Sequence, residues 1–224
     1  MKKMDRMNRV FASLLTVLFL QLSFSQETNE AKQLLDEVST KMGAYDNMQI
    51  GFSTSLVNKE AGVEENDEPP INGTIMLKGE KYTLDYLGNT FIFDGKKLYV
   101  INHDDKEITI NDDDLSEDEG FIYPSKLLTF YKEGYTYKMG KLTNMSGRKI
   151  QFVELTPIDS NSEIIQVSLG IDAKTKHIYQ LIQLGSNGAK TTLTINQFKS
   201  NQRLSDLTFQ FDKEKYKKLD YLID

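Results

Sequence analysis

Apolar and polar residues alternate with a period of two in short runs along most of this chain, and this alternation constrains the fold more than any other feature. Ile50 and Phe52, for example, are separated by Gly51 and followed by Ser53. A period of two is typical of strands with one buried face, because successive side chains point to opposite sides. The pattern recurs at Ile75 and Leu77, at Tyr82, Leu84 and Tyr86, at Phe91 and Phe93, at Leu98 and Val100, at Ile150 and Phe152, at Ile165, Val167, Leu169 and Ile171, at Leu193 and Ile195, and at Leu207, Phe209 and Phe211.

The runs are separated by short segments of turn-forming residues, such as Asp94-Gly95, Ser146-Gly147 and residues 185–188. These residues favour tight hairpin turns, and links this short leave no room for the crossover connection that parallel strands need. The pattern therefore predicts a single long antiparallel sheet of about ten to twelve strands, strongly curved or rolled.

Two segments have helical periodicity instead. Between Ala31 and Met42 the apolar residues follow the i, i+3, i+4 spacing of an amphipathic helix, and Gly43 stands where such a helix could end. Pro124 occupies a first-turn position before a second apolar stretch that ends at Gly134. We therefore expect one helix before the sheet and a helical insertion in the middle of the chain.

The first 25 residues have the composition of a secretory signal peptide. Four basic residues among the first nine precede an apolar run at residues 10–22, and Ser23-Phe24-Ser25 offers a cleavage site before Gln26. The apolar run is short for a membrane span, which needs about 20 residues. We expect residues 1–25 to be a signal peptide and residues 26–224 to be a single domain, with an uncleaved N-terminal anchor as the alternative.

The composition argues against several classes of function. The chain has no Cys, which excludes disulfides, thiolate zinc sites and a cysteine nucleophile. A formal net charge of −6 argues against nucleic-acid binding, which depends on clustered basic residues. The two histidines, His103 and His177, form no known catalytic motif with carboxylates. We therefore expect no enzyme activity, no cofactor, no metal-binding residue and no nucleic-acid partner.

An acidic segment at residues 111–120 has two interpretations. Its clustered carboxylates are the ligands that calcium prefers, but the calcium loop of an EF-hand needs Gly at its sixth position, which is Glu117 when counted from Asp112. The alternative, which we favour, is a solvated loop that keeps an edge of the sheet from pairing with other chains.

Several strands are apolar at both parities, as in Phe91-Ile92-Phe93 and at residues 98–101. One or two helices would cover only part of so wide an apolar sheet. The sheet could close into a barrel that its own side chains fill, or it could leave a cavity open to an apolar ligand.

The order of the predicted elements resembles one known family. The elements that carry the likeness are the helix around residues 34–38, the strands at residues 50–52, 73–78 and 82–86, the turn at residues 93–98, the helix at residues 124–128, and the strands at residues 152–157 and 206–211. Over residues 31–212 this order is similar to that of the periplasmic outer-membrane lipoprotein carriers, the LolA-like proteins.

The resemblance implies a mainly β (α+β) fold, in which an unclosed antiparallel half-barrel carries a mid-chain helical lid over its concave face. It also implies a monomeric periplasmic carrier. Such carriers accept lipoproteins from an ABC-type releasing transporter of the inner membrane, shield their acyl chains, and pass them to an outer-membrane acceptor. A related module that senses lipids or lipoproteins of the cell envelope is the alternative.

One departure from the family concerns release of the cargo. The best-known members carry an Arg just after the strand that is matched here by Leu77-Lys78, and this Arg latches the lid. The matching stretch here is residues 79–82, where Lys81 is a poor substitute because it lacks the planar fork of a guanidinium group.

The resemblance and the alternation together select the candidate residues. We expect the acyl-chain cavity to be lined by apolar residues of the first strands: Phe52, Leu56, Ile75, Leu77, Tyr82, Leu84, Tyr86, Phe91, Phe93, Leu98 and Val100. We expect Leu127, Leu128 and Tyr131 to face this cavity from the lid. For each of these residues, ordinary core packing is the alternative.

Overall fold

The computed structural model describes residues 29–65, 67–112 and 128–224. These residues form twelve strands, a helix α1 over residues 29–43, a short helix α2 (Lys213–Lys218), and single turns of 3-10 helix at Lys59–Ala61, Phe130–Lys132 and Asp206–Phe209. The strands are β1 (Met48–Val57), β2 (Ile71–Lys78), β3 (Lys81–Tyr86), β4 (Asn89–Phe93), β5 (Leu98–Asn102), β6 (Glu107–Asn111), β7 (Tyr135–Met145), β8 (Arg148–Pro157), β9 (Ile164–Asp172), β10 (Ile178–Gly185), β11 (Lys190–Ser200) and β12 (Leu222–Ile223).

All twelve strands belong to one unclosed sheet in the order β12-β6-β5-β4-β3-β2-β1-β11-β10-β9-β8-β7. Two runs of sequential hairpins, β1 to β6 and β7 to β11, meet where β1 pairs with β11. The prediction of a mainly β fold with an open sheet and an N-terminal helix is confirmed. The sheet is not antiparallel throughout, because the two-residue β12 runs parallel to β6.

The turn between β4 and β5 shows how the sequence sets a hairpin. The carboxylate of Asp94 accepts hydrogen bonds from the backbone N–H groups of Lys96 and Lys97, each at 2.9 Å. Gly95 has a φ of 94°, which residues with a Cβ rarely adopt. An Asp followed by a Gly therefore closes this turn with local hydrogen bonds, as the sequence predicts.

The helix α1 covers one face of the sheet, which we call the inner face. Its apolar stripe, which consists of Ala31, Leu34, Leu35, Val38 and Met42, is buried in one cluster with side chains from strands β1 to β5 and β8 to β11. The stripe has the spacing that the sequence predicts, and it anchors the helix because each buried aliphatic side chain contributes about 1.5–3 kcal/mol.

The opposite, outer face carries a second apolar cluster near the edge formed by β4 to β6. Ile92, Ile101 and Ile108 are buried there under Tyr216 of α2. Phe211 continues the cover by stacking on Tyr99, with ring centroids 4.5 Å apart. The C-terminal segment therefore explains why the strands at residues 91–93 and 98–101 are apolar at both parities.

The predicted strand at residues 206–211 is wrong. The chain there forms the 3-10 turn Asp206–Phe209, which begins where the hydroxyl of Ser205 accepts a hydrogen bond from the N–H of Leu207. Phe209 is 1% exposed whereas Leu207 is 73% exposed. The turn is also tied to the outer face of β3, where the hydroxyl of Thr83 donates to the carbonyl oxygen of Thr208 at 2.6 Å.

The predicted mid-chain helix begins at Pro124, and its residues 124–127, with Leu127 among them, lie outside the described residues, as do residues 113–120 of the acidic segment. The described chain resumes at Leu128 and forms the single 3-10 turn Phe130–Lys132 before β7. In the strand order, β7 forms one end of the open sheet, and β6 lies next to the two-residue β12 at the other end.

Candidate functional site: the inner face of the sheet

The strand registers bring all eleven predicted cavity residues to the inner face. On β1, Phe52 and Leu56 are an even number of residues from Ile50, so their side chains lie on the same face as that of Ile50. The partner of Ile50 on β2 is Ile75. The successive pairings of β2 to β5 place the remaining residues on the same face, and Tyr86 lies there because it is two residues after Leu84. The pairings align two rows across the four strands: Ile75, Leu84, Phe91 and Val100 in one row, and Leu77, Tyr82, Phe93 and Leu98 in the other.

These residues differ widely in how much solvent reaches them. Seven belong to the buried core: Phe52, Ile75, Leu77, Tyr82, Leu84, Phe93 and Leu98. Tyr86, Phe91 and Val100 are half-buried and pack against that core, and Leu56 is 53% exposed near the end of β1. The α1 stripe fills part of the inner face, so less space remains for a ligand than an empty half-barrel would offer.

The half-buried apolar residues around this core form what we call the rim. On one side of the sheet the rim contains the three predicted residues on β3, β4 and β5. Leu128 was predicted as a lid residue. The other members were not predicted from the sequence, although Tyr135, Tyr137 and Met139 alternate with a period of two directly after Gly134. The complete rim consists of Tyr45, Tyr86, Phe91, Val100, Leu128, Phe130, Tyr135, Tyr137, Met139, Ile164, Leu193 and Phe198.

The segment before β7 is fastened to α1 by a polar contact. The hydroxyl of Tyr131 donates a hydrogen bond of 2.8 Å to the carboxylate of Asp36, which also pairs with Lys32. Hydrogen bonds, first from Lys32 and then from Tyr131, lower the pKa of Asp36, while burial and the bond to Asp36 raise the pKa of Tyr131 to about 12. Tyr131 therefore stays neutral and acts as a donor, and Leu128 packs beside the same core.

A glycine allows an aromatic ring to lie flat against the inner face. A Cβ on Gly73 would stand only 2.3 Å from Cζ of Phe52, so the ring occupies the space that any other residue would need. The Phe52 ring lies 5.6 Å from the ring of Tyr86, centroid to centroid. The hydroxyl of Tyr86 in turn shares a hydrogen bond of 2.7 Å with the hydroxyl of Thr54.

Both histidines make contacts that hold parts of the fold together. His177 shares a 2.8 Å hydrogen bond with the hydroxyl of Tyr45 and packs on Phe198, which joins the β9–β10 turn to the end of α1. His103 lies between the hydroxyls of Thr90 and Tyr221. Neither histidine is paired with a carboxylate in these contacts.

Other binding features of the described residues are few. No three His, Asp or Glu side chains within residues 29–65, 67–112 and 128–224 converge as a metal ion would require. None of the helices in the described part of the chain is long and apolar enough to cross a membrane. One surface hollow of about 660 Å³ follows the polar side of α1, and another of about 250 Å³ lies between Lys78, Lys81 and Phe209. Neither hollow is lined by the rim.

Lys81, which the resemblance offers only as a poor substitute for the carriers' latching Arg, does not reach the inner face. It pairs with Lys78 at the β2–β3 turn, and its neighbour Tyr82 points inward, so Lys81 points outward. Its aliphatic stem lies beside the β4–β5 turn, 3.8 Å from the position of a Cβ on Gly95. Among the residues that the structure describes, Lys81 therefore makes no contact that could latch a lid over the inner face.

We compared the sequence with models of known protein families to find the family to which it belongs. Residues 85–212, more than half of the chain, match the model of the outer membrane lipoprotein carrier protein LolA. The chain belongs to the LolA family. The likeness noted in the sequence is thereby confirmed, with the match to the LolA model beginning at the end of β3. No match was found among curated protein sequences.

The solved structures that resemble this chain share little of its sequence. An uncharacterized conserved protein from Thermus thermophilus is 10% identical with a TM-score of 0.57, and the alignment covers 87% of this chain and 98% of that chain. A LolA superfamily protein from Nitrosomonas europaea is 12% identical with a TM-score of 0.43, over 81% and 98% of the two chains. The Mycobacterium tuberculosis lipoprotein LppX is 13% identical with a TM-score of 0.43, over 78% and 98%.

Proposed function

We propose that this chain is a periplasmic carrier that binds the acyl chains of lipoproteins released from the inner membrane and delivers them to the outer membrane. The observation that carries the proposal is the inner face of a LolA-family sheet, where apolar rows continue from a buried core into the half-buried rim. Aromatic and Met side chains in the rim offer an adaptable apolar surface, since thioethers and rings tolerate different partners.

The energetics of acyl chains match such a surface. Each methylene group that leaves water contributes about 0.8 kcal/mol, so one long chain gains on the order of 10 kcal/mol before the costs of binding. A carrier must retain most of that gain to prevent aggregation, yet release the cargo to the next acceptor. The α1 stripe already covers part of the inner face, and it limits the area that cargo can bury.

The proposed route requires export. We propose that residues 1–25 direct the chain across the inner membrane and are removed near Ser25-Gln26, and that residues 26–224 act as one monomeric domain. The donor would be an ABC-type releasing transporter, and the acceptor a component of the outer membrane. Because Lys81 points outward, release of the cargo would use contacts other than those of the family's Arg.

A matched pair of variants tests the proposed binding surface. Val100 is half-buried in the rim on β5, and Ser55 is an exposed residue of the outer face on β1. A carboxylate at position 100 would need to be desolvated against an acyl chain, so we expect Val100→Asp to weaken binding of a diacylated lipopeptide at least about tenfold. Ser55→Asp adds the same charge on the other face and should leave the affinity unchanged.

Circular dichroism and urea unfolding would establish that both variants fold. Equal affinity of folded Val100→Asp and wild type for the lipopeptide would refute the surface assignment. Native mass spectrometry of the protein purified from its own periplasm tests the function itself. Masses of acylated lipoproteins bound to the chain are expected, whereas a protein that never carries them contradicts the carrier role.

A further inference from the structure

Towards one end of its strands the inner face carries polar side chains beside apolar ones such as Leu56 and Ile71. The two rows from β2 to β5 that contain Leu84 and Tyr82 are apolar, and on β1 they continue to Ile50 and Met48. Farther along, the inner positions become Thr54 on β1, Tyr86 on β3 and Asn89 on β4. A diacylglyceryl group has the same division, with hydrocarbon at one end and ester carbonyls at the other.

The first polar groups beyond the apolar rows are the two hydroxyls of Thr54 and Tyr86, which we call the hydroxyl pair. Thr54 is 4% exposed, whereas Tyr86 is half-buried and belongs to the rim. Their oxygens are 2.7 Å apart, and the hydroxyl of Thr54 can also donate to the carbonyl oxygen of Ile71 at the longer distance of 3.4 Å. Tyr86 is therefore the member of the pair that a ligand on the inner face can reach.

The position of the Tyr86 ring is fixed through its neighbour Phe52. The ring of Phe52 packs against it, and the missing Cβ of Gly73 keeps Phe52 flat on the sheet. The hydroxyl of Thr54 has one proton, which it can donate either to the carbonyl oxygen of Ile71 at 3.4 Å or to the oxygen of Tyr86 at 2.7 Å. In the second arrangement the phenolic O–H is left to donate in another direction, and a hydroxyl that accepts one hydrogen bond becomes a better donor. An ester carbonyl is an acceptor without a donor, which suits this O–H.

We infer that Tyr86 donates a hydrogen bond to an ester carbonyl of the acylated cargo, with Thr54 as the residue that positions its hydroxyl. The inference rests on the proposed carrier function and deepens it, because it names the head of the diacylglyceryl group as the part that is recognised. The acyl chains then lie over the half-buried members of the apolar rows, Phe91 and Val100, and the peptide leaves the inner face beyond the hydroxyl pair.

Two ligands that differ only in the carbonyls test this assignment. One is a dipalmitoyl-glyceryl lipopeptide, and the other is its ether-linked analogue, which keeps both hydrocarbon chains but has no ester carbonyl. A single hydrogen bond of ordinary net strength corresponds to a preference of about two- to tenfold. We expect wild-type protein to bind the ester ligand more tightly by that factor, as measured by titration calorimetry.

Variants assign the preference to the hydroxyl pair. In Tyr86→Phe the ratio of the two affinities should fall to about one, and in Thr54→Val it should fall part of the way, since the phenol remains. Tyr99→Phe, which removes a hydroxyl from the outer face, should keep the wild-type ratio. Equal affinity of wild type for both ligands, or an unchanged ratio in Tyr86→Phe, would overturn the inference. Failure to bind either ligand would instead refute the proposed carrier function.

Discussion

Replacement of Gly73 by Ala should destabilise the protein through a single neighbouring side chain. The new Cβ would stand 2.3 Å from Cζ of Phe52 and within 2.9 Å of both Cε atoms. Moving a ring in a packed core costs about 1–3 kcal/mol. Replacing Gly by Ala in a strand by itself raises the free energy of unfolding by about 0.5–1 kcal/mol, because Ala loses less conformational freedom than Gly when the chain folds. We therefore expect Gly73→Ala to lower the free energy of unfolding by about 0.5–2 kcal/mol.

A double-mutant cycle isolates the cause. In a Phe52→Ala background the ring is absent, so Gly73→Ala should raise the free energy of unfolding by about 0.5–1 kcal/mol. Gly51→Ala is the matched control on the neighbouring strand, since its Cβ would make an ordinary contact of 3.4 Å with Cβ of Gln197. Urea unfolding of the four proteins in the cycle, and of the control, measures each value. If Gly73→Ala had the same effect with and without the Phe52 ring, the proposed clash would be refuted.

Two further predictions concern the polar contacts of α1. Tyr131→Phe removes the hydrogen bond to Asp36 and should lower the free energy of unfolding by about 1 kcal/mol. The loss is no larger because the Asp36 carboxylate keeps its ion pair with Lys32 and its contact with water. An unchanged urea midpoint would contradict this prediction. Burial, and then the charge of Lys41, lower the pKa of His177, against the opposite effect of Asp172. The unfolded state then binds more protons below about pH 6.5, so stability should fall as the pH drops through that range, and His177→Gln should flatten this part of the profile of urea midpoint against pH.

The period of two identifies which residues share a face of the sheet, because a strand leaves no other choice once its register is set. That this face binds acyl chains stays a prediction. The same period carries no information on depth. Tyr82 and Leu56 lie on the same face of the sheet, yet Tyr82 is fully buried and Leu56 is 53% exposed. Depth depends on where α1 lies across the sheet, and the i, i+3, i+4 stripe of a helix does not specify which strands it covers.

The apolar residues at both parities had a cause that the pattern could not reveal. Ile92 and Ile101 are covered by Tyr216 and its neighbours, more than a hundred residues later in the chain. The aromatic residues of that segment follow no simple period, because a 3-10 turn, a short helix and a two-residue strand succeed each other there. The prediction of a strand around Phe209 fails for the same reason, since three apolar residues spaced by two also fit an irregular segment.

The pairing of β1 with β11 has a consequence for the shape of the sheet. Each half of the sheet consists of hairpins between strands that are neighbours in sequence. The pairing of β1 with β11 joins the two halves, and we call it the seam. The ladder is interrupted at this seam by a bulge between Gly51 and Phe52. A bulge bends its strand and increases the local twist. The bulge therefore helps to set the angle at which the half of the sheet that carries Phe91 meets the half that carries Met139.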